Sequence, residues 1–506
     1  DDDGCKYIDF GLAAKHSNQR FFKQRSMSEF VCDRIYPSYP YEFIYLYATE
    51  DVLNDEKSDK EYDIYRDLHE RYQLVHETIF KRVGLKEYLM SLIDRALEGK
   101  LTKEKSNIIS LIDTYSIGIL IPSMLARFAK SHNKLRQLKN LLMENEIKPF
   151  TDEWERDGFF PAHDLFKKMA ELDLLGITKN EEYGGMGLDY SYGIIFAEAL
   201  GHADDCGTVT AIGVQTDMAT PALERYGSHK LKQEFLIPSI KGEMVASVAI
   251  SEPGGGSDVS ALKTNAIKKA DDYIINGQKM WITNATQADY FCVLVNTSDG
   301  APHRNKSLII VPSDSKGVSI GDKIDKIGLR TSDTAPVYFD NVCVPQRYRI
   351  GKEGEGFKMQ MEQFQEERLF LAASILVSMD NCIDYTIDYC NERKAFGKKI
   401  IDNQVIQFRL SELKTEVELL RSLIYRACEH FIQGEDVTLL ASMAKLKSGR
   451  LIREVADTCV QYYGGMGFTW ENQAAKLYRD GRLHSIGGGT DEIMLRIISK
   501  YLKMVK

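Results

Sequence analysis

The sequence predicts a multidomain α+β protein in which two helical regions flank a central antiparallel β domain, preceded by a mostly helical fragment. Apolar residues recur at three- and four-residue steps on both sides of residues 245–344, as in amphipathic helices. Within those bounds, short β-rich runs alternate with turn residues. Glycine usage also changes, because residues 1–133 contain 5 of the 37 glycines. We expect a leading segment at 1–131, a helical domain at 134–246, a β domain at 247–350 and a helical bundle at 351–506.

The leading segment is predicted to be mostly helical. Apolar side chains there repeat at helical spacing, at Ile64, Leu68, Tyr72, Val75 and Ile79. A new amphipathic pattern begins at Leu135 and continues through Leu138, Leu141 and Leu142. No flexible linker is therefore expected between the two parts.

The next elements follow in a simple order. The helical pattern continues to about Met244, with a glycine-rich break at 183–187. Five β-like runs come next, and Asn276-Gly277 marks a turn between two of them. These runs cover residues 245–250, 273–275, 290–295, 307–311 and 336–339. Helical periodicity returns after Gly356 and lasts to the end of the chain.

The composition argues against several classes of protein. The 65 Lys and Arg against 74 Asp and Glu give a net charge of −9 without a basic run, so we expect no nucleic-acid partner. The longest apolar stretch, at 117–125, is shorter than the ~20 residues of a membrane-spanning helix, so no membrane span is expected. None of the 9 cysteines forms a Cys-x-x-Cys pair, which argues against a disulfide framework and a zinc site. We predict no metal and a reducing compartment.

The strongest local motif is Ser251-Glu252-Pro253-Gly254-Gly255-Gly256-Ser257-Asp258, which closes a β run. Consecutive glycines let a backbone approach a flat or anionic ligand, although a plain tight turn has the same signature. Trp281-Ile282-Thr283-Asn284 adds an aromatic face beside a hydroxyl donor, which suits a planar heteroaromatic ring. The alternative is a half-buried tryptophan in a strand.

Three further motifs lie in the predicted bundle. Arg393-Lys394-Ala395-Phe396-Gly397 precedes Gln404, and an arginine between helices can bind a pyrophosphate or form a surface ion pair. Tyr463-Gly464-Gly465-Met466-Gly467-Phe468 is a second glycine-rich segment. In Ile486-Gly487-Gly488-Gly489-Thr490-Asp491-Glu492, a threonine and two acids follow a turn in the manner of a helix N-terminus.

Taken in order, these motifs resemble those of the acyl-CoA dehydrogenases. SEPGGGSD, WITN, RKAFG, YGGMGF and IGGGT occur in that family's order between about Leu135 and Lys506, roughly three-quarters of the chain. The resemblance implies a helical N-domain, a middle β domain and a C-terminal bundle, with FAD bound where they meet. It also implies a homotetramer or homodimer, because some dinucleotide contacts cross a subunit interface in the family.

The resemblance assigns site residues by position. Flavin-ring contacts match Val248, Ile250, Ser251, Gly256, Ser257, Trp281, Ile282 and Thr283. The rest of the dinucleotide matches Arg393, Gln404, Gln461, Tyr463, Gly464, Gly465, Thr490, Asp491 and Glu492. Substrate contacts match Ser257, Gln365, Glu366, Arg368, Gly488 and Gly489.

The catalytic base is expected at Glu367. Most family members carry a glutamate at the position of Gly488, but a subset that includes the long-chain and isovaleryl enzymes carries the base in a Glu-Arg-Leu sequence. Adjacent helical residues point about 100° apart, so Glu366 and Glu367 cannot face the same pocket. Glu367 is in register with Phe364, Phe370 and Leu371, which predicts a partly desolvated carboxylate with a raised pKa. A surface ion pair with Arg368 is the alternative.

The implied reaction is oxidation of an acyl-CoA to a trans-2-enoyl-CoA in fatty acid β-oxidation. Glu367 would take the α-proton, flavin N5 would accept the β-hydride, and the Gly488 N–H with a flavin ribityl hydroxyl would bind the thioester oxygen. The wording of residues 486–494 favours long-chain over isovaleryl substrates, and medium or long chains are expected. Electron-transferring flavoprotein is the implied electron acceptor, whereas an oxidase using O2 and a non-catalytic acyl-CoA-binding scaffold are alternatives.

The first 131 residues resemble part of a protein kinase C-lobe instead. Residues 8–13 are similar to the metal-binding DFG segment, and residues 113–118 to the start of the lobe's central helix. No glycine-rich phosphate loop, strand lysine or His-Arg-Asp segment accompanies them, so this segment is not expected to phosphorylate a substrate unaided. Asp1-Asp2-Asp3 is unlike an Arg-rich transit segment, and a mitochondrial matrix location is expected from the family alone.

Overall fold

The structure is a computed structural model that describes residues 138–504. The kinase-like motifs and the helices expected before residue 138 lie outside the described residues. Residues 134–506 form one compact unit, in which helices come first, a β-sheet follows, and a helical bundle ends the chain. This order confirms the predicted fold class.

The N-terminal region is helical and is built on buried apolar stripes. In the helix Ala162–Glu171 (α2), the residues Ala162, Leu165, Phe166 and Met169 are all buried, which is the spacing of one helical face. Asp189 and Asp205 accept backbone N–H groups and so cap the N-termini of the helices Tyr190–Leu200 (α3) and Cys206–Gly213 (α4). The helices are α1 (Thr151–Asp157), α2 (Ala162–Glu171), α3 (Tyr190–Leu200), α4 (Cys206–Gly213), α5 (Pro221–Tyr226), α6 (His229–Leu231) and α7 (Ile237–Ile240), and π-helical turns occupy Leu138–Ile147, Val214–Ala219 and Lys232–Leu236.

The sheet has eight strands: β1 (Ala246–Ala249), β2 (Asn265–Lys269), β3 (Asp272–Thr283), β4 (Tyr290–Asn296), β5 (Lys306–Pro312), β6 (Val318–Ile320), β7 (Thr334–Pro345) and β8 (Arg349–Ile350). Seven of them lie in the order β6-β7-β3-β2-β4-β5-β8, and β1 pairs with β4. Most pairs are antiparallel, but β1 runs parallel to β4. The sheet is therefore mainly antiparallel, in line with the predicted fold class, and its two parallel pairings, β1 with β4 and β2 with β4, both involve β4. The β2–β3 hairpin separates β1 from β4 in the chain. This long connection allows β4 to pair with β1 in the parallel direction.

Both faces of the sheet are buried, as the alternation within β4 shows. Tyr290, Cys292 and Leu294 pack in one core together with N-terminal helices. Phe291 and Val293 point the other way, into a second core formed by β3, β4, β5 and β7. Successive side chains of a strand point to opposite faces, so one short apolar run serves both cores.

The C-terminal bundle contains the longest helices. In the helix Gln404–Ile432 (α10), buried residues recur every three or four positions from Leu410 to Ala427. The helices are α8 (Gly356–Ser374), α9 (Leu376–Glu392), α10 (Gln404–Ile432), α11 (Thr438–Tyr463), α12 (Gln473–Gly481) and α13 (Asp491–Tyr501), and β9 (Lys394–Ala395) and β10 (Lys398–Lys399) form a small hairpin after α9. The stretch Gly356–Glu392 is long and apolar enough to cross a membrane by composition, but 67% of its most apolar window is buried within the fold.

A buried polar network joins the three regions. Asp205, at the start of α4, accepts a hydrogen bond from Thr331 Oγ1 at 2.8 Å and lies 3.8 Å from Lys476 Nζ of α12. Asp480, also of α12, accepts the Leu329 N–H at 2.7 Å. The helical N-terminal region, the loop before β7 and the bundle therefore share one set of polar contacts.

Candidate active site

The glycine-rich loop after β1 is fixed at its base and open at its tip. Glu252 and Gly255 exchange backbone hydrogen bonds at 2.8 and 3.0 Å, and the Glu252 carboxylate accepts the N–H groups of Lys263 and Thr264. A Cβ atom added to Gly254 or Gly256 would meet nothing within 4 Å. The tip, including the exposed Gly256 and Ser257, is free to contact a ligand.

A buried lysine fastens this loop to the sheet. Lys279 Nζ donates to the carbonyls of Ile250 and Leu294 at 3.0 and 2.7 Å and to Glu252 Oε1 at 3.0 Å. Burial lowers the pKa of Lys279 to about 8, against the pull of Glu252. Burial opposes ionisation of Glu252 as well, yet Lys279 and the loop hydrogen bonds keep its pKa below the ordinary value. The pair thus sets the course of the chain from β1 into the loop.

The ends of β1 and β3 lie side by side. The Met280 N–H donates to the Ser251 carbonyl at 2.9 Å, and Ser247 Oγ donates to the Thr283 carbonyl at 2.6 Å. Trp281 has a positive φ of 65°, within a register shift between Lys279 and Ile282. Its side chain is 60% exposed, whereas Ile282 is buried. The structure thus brings the 248–251 and 281–283 segments together, with an aromatic face open to solvent.

Two neighbouring carboxylates of α8 face different surroundings. Glu366 forms an ion pair with Arg225 of α5, and its other oxygen, Oε2, is buried without a hydrogen-bond partner in the described part of the chain. Tyr190 of α3 donates to the Glu366 backbone carbonyl at 2.9 Å. Glu367 Oε1 instead lies 3.3 Å from the position that a Cβ atom on Gly488 would take. The expected divergence of the two side chains is therefore observed.

Glu367 is a buried carboxylate. Its side chain makes no hydrogen bond or ion pair with any residue in the range 138–504, so the surface pair with Arg368 is absent there. Burial raises the pKa of Glu367 to about 7, although the positive charges of Arg368 and Lys445 oppose this shift. A carboxylate with a pKa near 7 is suited to accept a proton near neutral pH.

A glycine turn faces Glu367. The Gly487 N–H donates to the Leu483 carbonyl at 2.8 Å, but among the described residues no acceptor is bonded to the N–H groups of Gly488 and Gly489. Both glycines have positive φ values, 64° and 103°. Both backbone N–H groups are therefore unpaired among the described residues, and Gly488 itself lies close to the carboxylate.

Two cations lie around this turn. Lys445 of α11 donates from Nζ to the Gly489 carbonyl, and burial lowers its pKa to about 8. Arg368 is also buried, and its Nε has no hydrogen-bond partner within residues 138–504. Its guanidinium lies 5.7 Å from the Phe364 ring centre, and burial lowers its pKa although Glu367 opposes this. Gln365 is half-buried on the same helix.

The helix after the turn carries three of the predicted dinucleotide residues. Thr490 Oγ1 accepts the Ile493 N–H at 3.3 Å and caps α13. Asp491 is buried and pairs with Arg450 Nε at 3.4 Å, whereas Glu492 is exposed. Thr490, Asp491 and Glu492 therefore adjoin the Gly488 turn.

The remaining predicted dinucleotide residues lie at one end of the bundle, where α9 and α11 end and α10 begins. The rings of Tyr389 and Tyr463 are 4.5 Å apart, and the Ile400 N–H donates to the Arg393 carbonyl at 2.9 Å. Arg393, Gln404, Gln461, Gly464 and Gly465 are exposed there. The hydrogen bonds and ring contact of this group stay within the bundle, so it forms a cluster of its own.

Sequence reasoning missed Lys279, Lys445 and Arg225. Lys279 continues the inward alternation of Tyr273 and Ile275 in β3, and Lys445 lies on the buried stripe of Ala441 and Ser448 in α11. Both positions carried a usable signal, because a charged residue in an apolar register needs a buried partner. Arg225 stands in a short helix without a comparable pattern.

Comparison with known proteins agrees with this architecture. Three family models match in sequence: the acyl-CoA dehydrogenase N-terminal domain at residues 129–243, the middle domain at 247–342 and the C-terminal domain at 354–503. The chain is 34% identical over 376 residues to the long-chain specific acyl-CoA dehydrogenase, mitochondrial, of Sus scrofa, covering 74% of this chain and 86% of that protein. It is 32% identical over 376 residues to the short/branched chain specific enzyme of Bos taurus, with the same coverage.

A solved structure gives the same result in three dimensions. The acyl-CoA dehydrogenase from Geobacillus kaustophilus has a TM-score of 0.71 and 35% identity, and the match covers 74% of this chain and 98% of that one. The family-model matches at 247–342 and 354–503 contain the ends of β1 and β3, Glu367 and the Gly488 turn. On these grounds, the chain belongs to the acyl-CoA dehydrogenase family.

Proposed function

We propose that this protein is an FAD-dependent acyl-CoA dehydrogenase that uses Glu367 as the base. The observation that carries the proposal is the buried Glu367 carboxylate beside the Gly488 turn, where the N–H groups of Gly488 and Gly489 have no acceptor among residues 138–504. A base and an oxyanion-binding donor pair at one place suit removal of a proton next to a carbonyl.

The residues expected to hold FAD fit a large planar ligand. The loop tip at Gly254 and Gly256 is open, and Trp281 offers an exposed aromatic face beside Ser251. At the bundle end, Cβ atoms on Gly464 or Gly465 would meet nothing within 4 Å, so a dinucleotide can approach the backbone closely. Bound FAD would supply the acceptor for the substrate's β-hydride.

Glu367 accounts for the proton half of the reaction. Its burial makes the carboxylate more basic than an exposed one, and no ion pair among residues 138–504 restrains it. As pH rises through about 7, the fraction of Glu367 able to accept the α-proton increases. The rate of proton removal should therefore rise over the same range.

The Gly488 turn accounts for the stabilisation of charge. Negative charge grows on the thioester oxygen as the α-proton leaves, and a free backbone N–H is a donor for that charge. A side chain at residue 488 would collide with Leu371 Cδ1 at 2.6 Å and crowd Glu367 Oε1 at 3.3 Å. A glycine there thus leaves room for the carboxylate to come from α8, which supports the subset with a Glu-Arg-Leu base.

We also propose a homo-oligomer, a homotetramer or at least a homodimer. Phe396, Phe408, Met466 and Phe468 are exposed at the bundle end that carries Arg393 and Gln404. Large apolar side chains gathered at one surface are typical of protein interfaces. Covering this end with a second subunit would also enclose the cofactor residues, and light scattering of the purified protein measures the subunit number.

Three further assignments follow from the family. Electron-transferring flavoprotein is proposed as the acceptor, and fatty acid β-oxidation in the mitochondrial matrix as the setting, in line with the mitochondrial name of the pig relative. The two curated relatives differ in their named chain-length class, so the substrate series must span short, branched and long chains. We propose a medium- or long-chain substrate from the amino-acid sequence of residues 486–494.

The experiment is anaerobic mixing of the purified protein with that acyl-CoA series while flavin absorbance is followed. Wild type should bleach with one class of chain length, and Glu367→Gln should bind the same acyl-CoA without bleaching. Glu362→Gln, a partly exposed carboxyl on the same helix, is the matched control and should bleach normally.

Other outcomes discriminate the alternatives. Bleaching of Glu367→Gln at the wild-type rate would show that the base is another residue. Rapid reoxidation by O2 would favour an oxidase, and failure to bind FAD would leave a non-catalytic acyl-CoA-binding protein.

A further inference from the structure

A buried lysine from a different helix lies beside the predicted base. Lys445 of α11 is 1% exposed, and its Cε lies 3.8 Å from the position that a Cβ atom on Gly488 would take. Glu367 Oε1 lies 3.3 Å from that same position. The lysine and the carboxylate therefore approach the glycine turn at the same point.

The lysine also bonds directly to the turn, since its Nζ donates to the Gly489 carbonyl. Consecutive glycines with positive φ have wide conformational freedom, so this turn needs an outside contact to keep one geometry. A hydrogen bond from a charged donor is stronger than one from a neutral donor. Lys445 is the only side chain among residues 138–504 that makes a hydrogen bond to Gly488 or Gly489.

Few charged groups surround Glu367 and Lys445 within residues 138–504. Glu367 is faced by Arg368 of its own helix and Lys445 of α11. Lys445 is faced by Arg368, Asp491 and Glu492, and by His484, whose pKa is lowered by burial to about 3, so that it is neutral near pH 7. Asp491 also pairs with Arg450.

We propose that Lys445 is a positioning residue for proton abstraction: it fixes the Gly488–Gly489 turn through the Gly489 carbonyl and favours the ionised form of Glu367. This inference rests on the proposed function. It gives the turn a fixed donor geometry and gives the desolvated carboxylate a nearby positive charge. In support, the positive charge of Lys445 opposes the burial that raises the pKa of Glu367.

Three substitutions separate the two roles. Lys445→Gln keeps an N–H donor for the Gly489 carbonyl but removes the charge, Lys445→Arg keeps both, and Lys445→Met removes both. Lys447→Gln is the matched control, because Lys447 lies on the same helix, is partly exposed and pairs with Glu416.

The first readout is the infrared band of the protonated Glu367 carboxyl as a function of pH, with Glu367→Gln as the reference that lacks the band. Lys445→Gln should raise the midpoint by about one pH unit, since an adjacent opposite charge shifts a carboxyl pKa by roughly that much or more. Proton abstraction, followed by flavin bleaching, should then slow about fivefold near pH 7. Lys445→Arg and Lys447→Gln should keep the wild-type midpoint.

The second readout is the bleaching rate well above the midpoint, where Glu367 is ionised in every variant. There Lys445→Gln should recover the wild-type rate, while Lys445→Met should remain about tenfold slower because the turn has lost its anchor. A Lys445→Met rate equal to wild type at high pH would overturn the anchoring role.

An unchanged midpoint in Lys445→Gln, with or without a lower melting temperature, would overturn the electrostatic role. Failure of the proposed function would give a different result, because none of the acyl-CoAs would then bleach the flavin of the wild-type protein. The carboxyl titration would still report the effect of Lys445 on Glu367 in that case.

Discussion

Replacing Glu367 with Gln should stabilise the fold, and more so as pH rises. Burial raises the pKa of Glu367 from 4.5 to about 7. Between these values the folded protein retains a proton that the unfolded chain has lost, so wild-type stability falls with rising pH through that window. At about 1.4 kcal/mol per pKa unit, the ionised carboxylate costs the folded state about 3 kcal/mol above the window. Gln is neutral at every pH and avoids this cost.

The measurable quantity is the difference in unfolding free energy between Glu367→Gln and wild type. It should grow by about 2 kcal/mol from near pH 5.5 to near pH 8.5. For a folded region of this size we expect a relative rise of roughly 2–4 °C in the melting temperature of the variant, measured by calorimetry. Glu362→Gln, on the same helix but partly exposed, should not show this trend. Equal pH dependence in Glu367→Gln and wild type would refute the desolvation of the carboxylate.

Three other substitutions test neighbouring contacts. Gly488→Ala should slow flavin bleaching at least tenfold, because its methyl group would crowd Leu371 and Glu367. Gly434→Ala controls for backbone strain, because Gly434 has a similar φ of 79° and a Cβ atom there would meet nothing within 4 Å. Equal bleaching rates in the two variants would contradict the steric argument. Lys279→Met should destabilise the protein by about 3–5 kcal/mol, because Glu252 would stay buried without its cation. The flavin content per chain should also fall. Full flavin content would show that the glycine-rich loop after β1 does not need the Lys279–Glu252 pair. Arg225→Ala should cost a similar amount in denaturant unfolding, since Glu366 already has one unpartnered buried oxygen, and Glu366→Gln in the same chain should restore part of it. A double variant no more stable than Arg225→Ala alone would contradict that account.

The order of helices, sheet and bundle was predictable because each element has its own apolar period. Alternation within residues 290–295 and the three- and four-residue steps of α10 are local signals. The parallel pairing of β1 with β4 was not predictable, since an apolar run does not specify its partner strand. That pairing depends on a crossover of the chain that only the folded sheet reveals.

The site was predictable where its residues lie close together in sequence. The helical register separated Glu366 from Glu367, and their different surroundings confirm that separation. The roles assigned to the individual site residues stay predictions. Lys445 reaches the Gly488 turn from a distant helix, and its contact with the Gly489 carbonyl depends on how α11 packs against the turn. Such non-local contacts leave no spacing in the sequence to detect.

The polar network of Asp205, Thr331, Lys476 and Asp480 has a consequence for how this protein unfolds. Detaching the N-terminal helices, the sheet or the bundle would strand a desolvated carboxylate or ammonium group without its partner. Opening of one region alone is therefore unfavourable, and the three regions are expected to unfold together. Limited proteolysis should cut residues 138–504 as one cooperative unit, without releasing a stable fragment that corresponds to any single region.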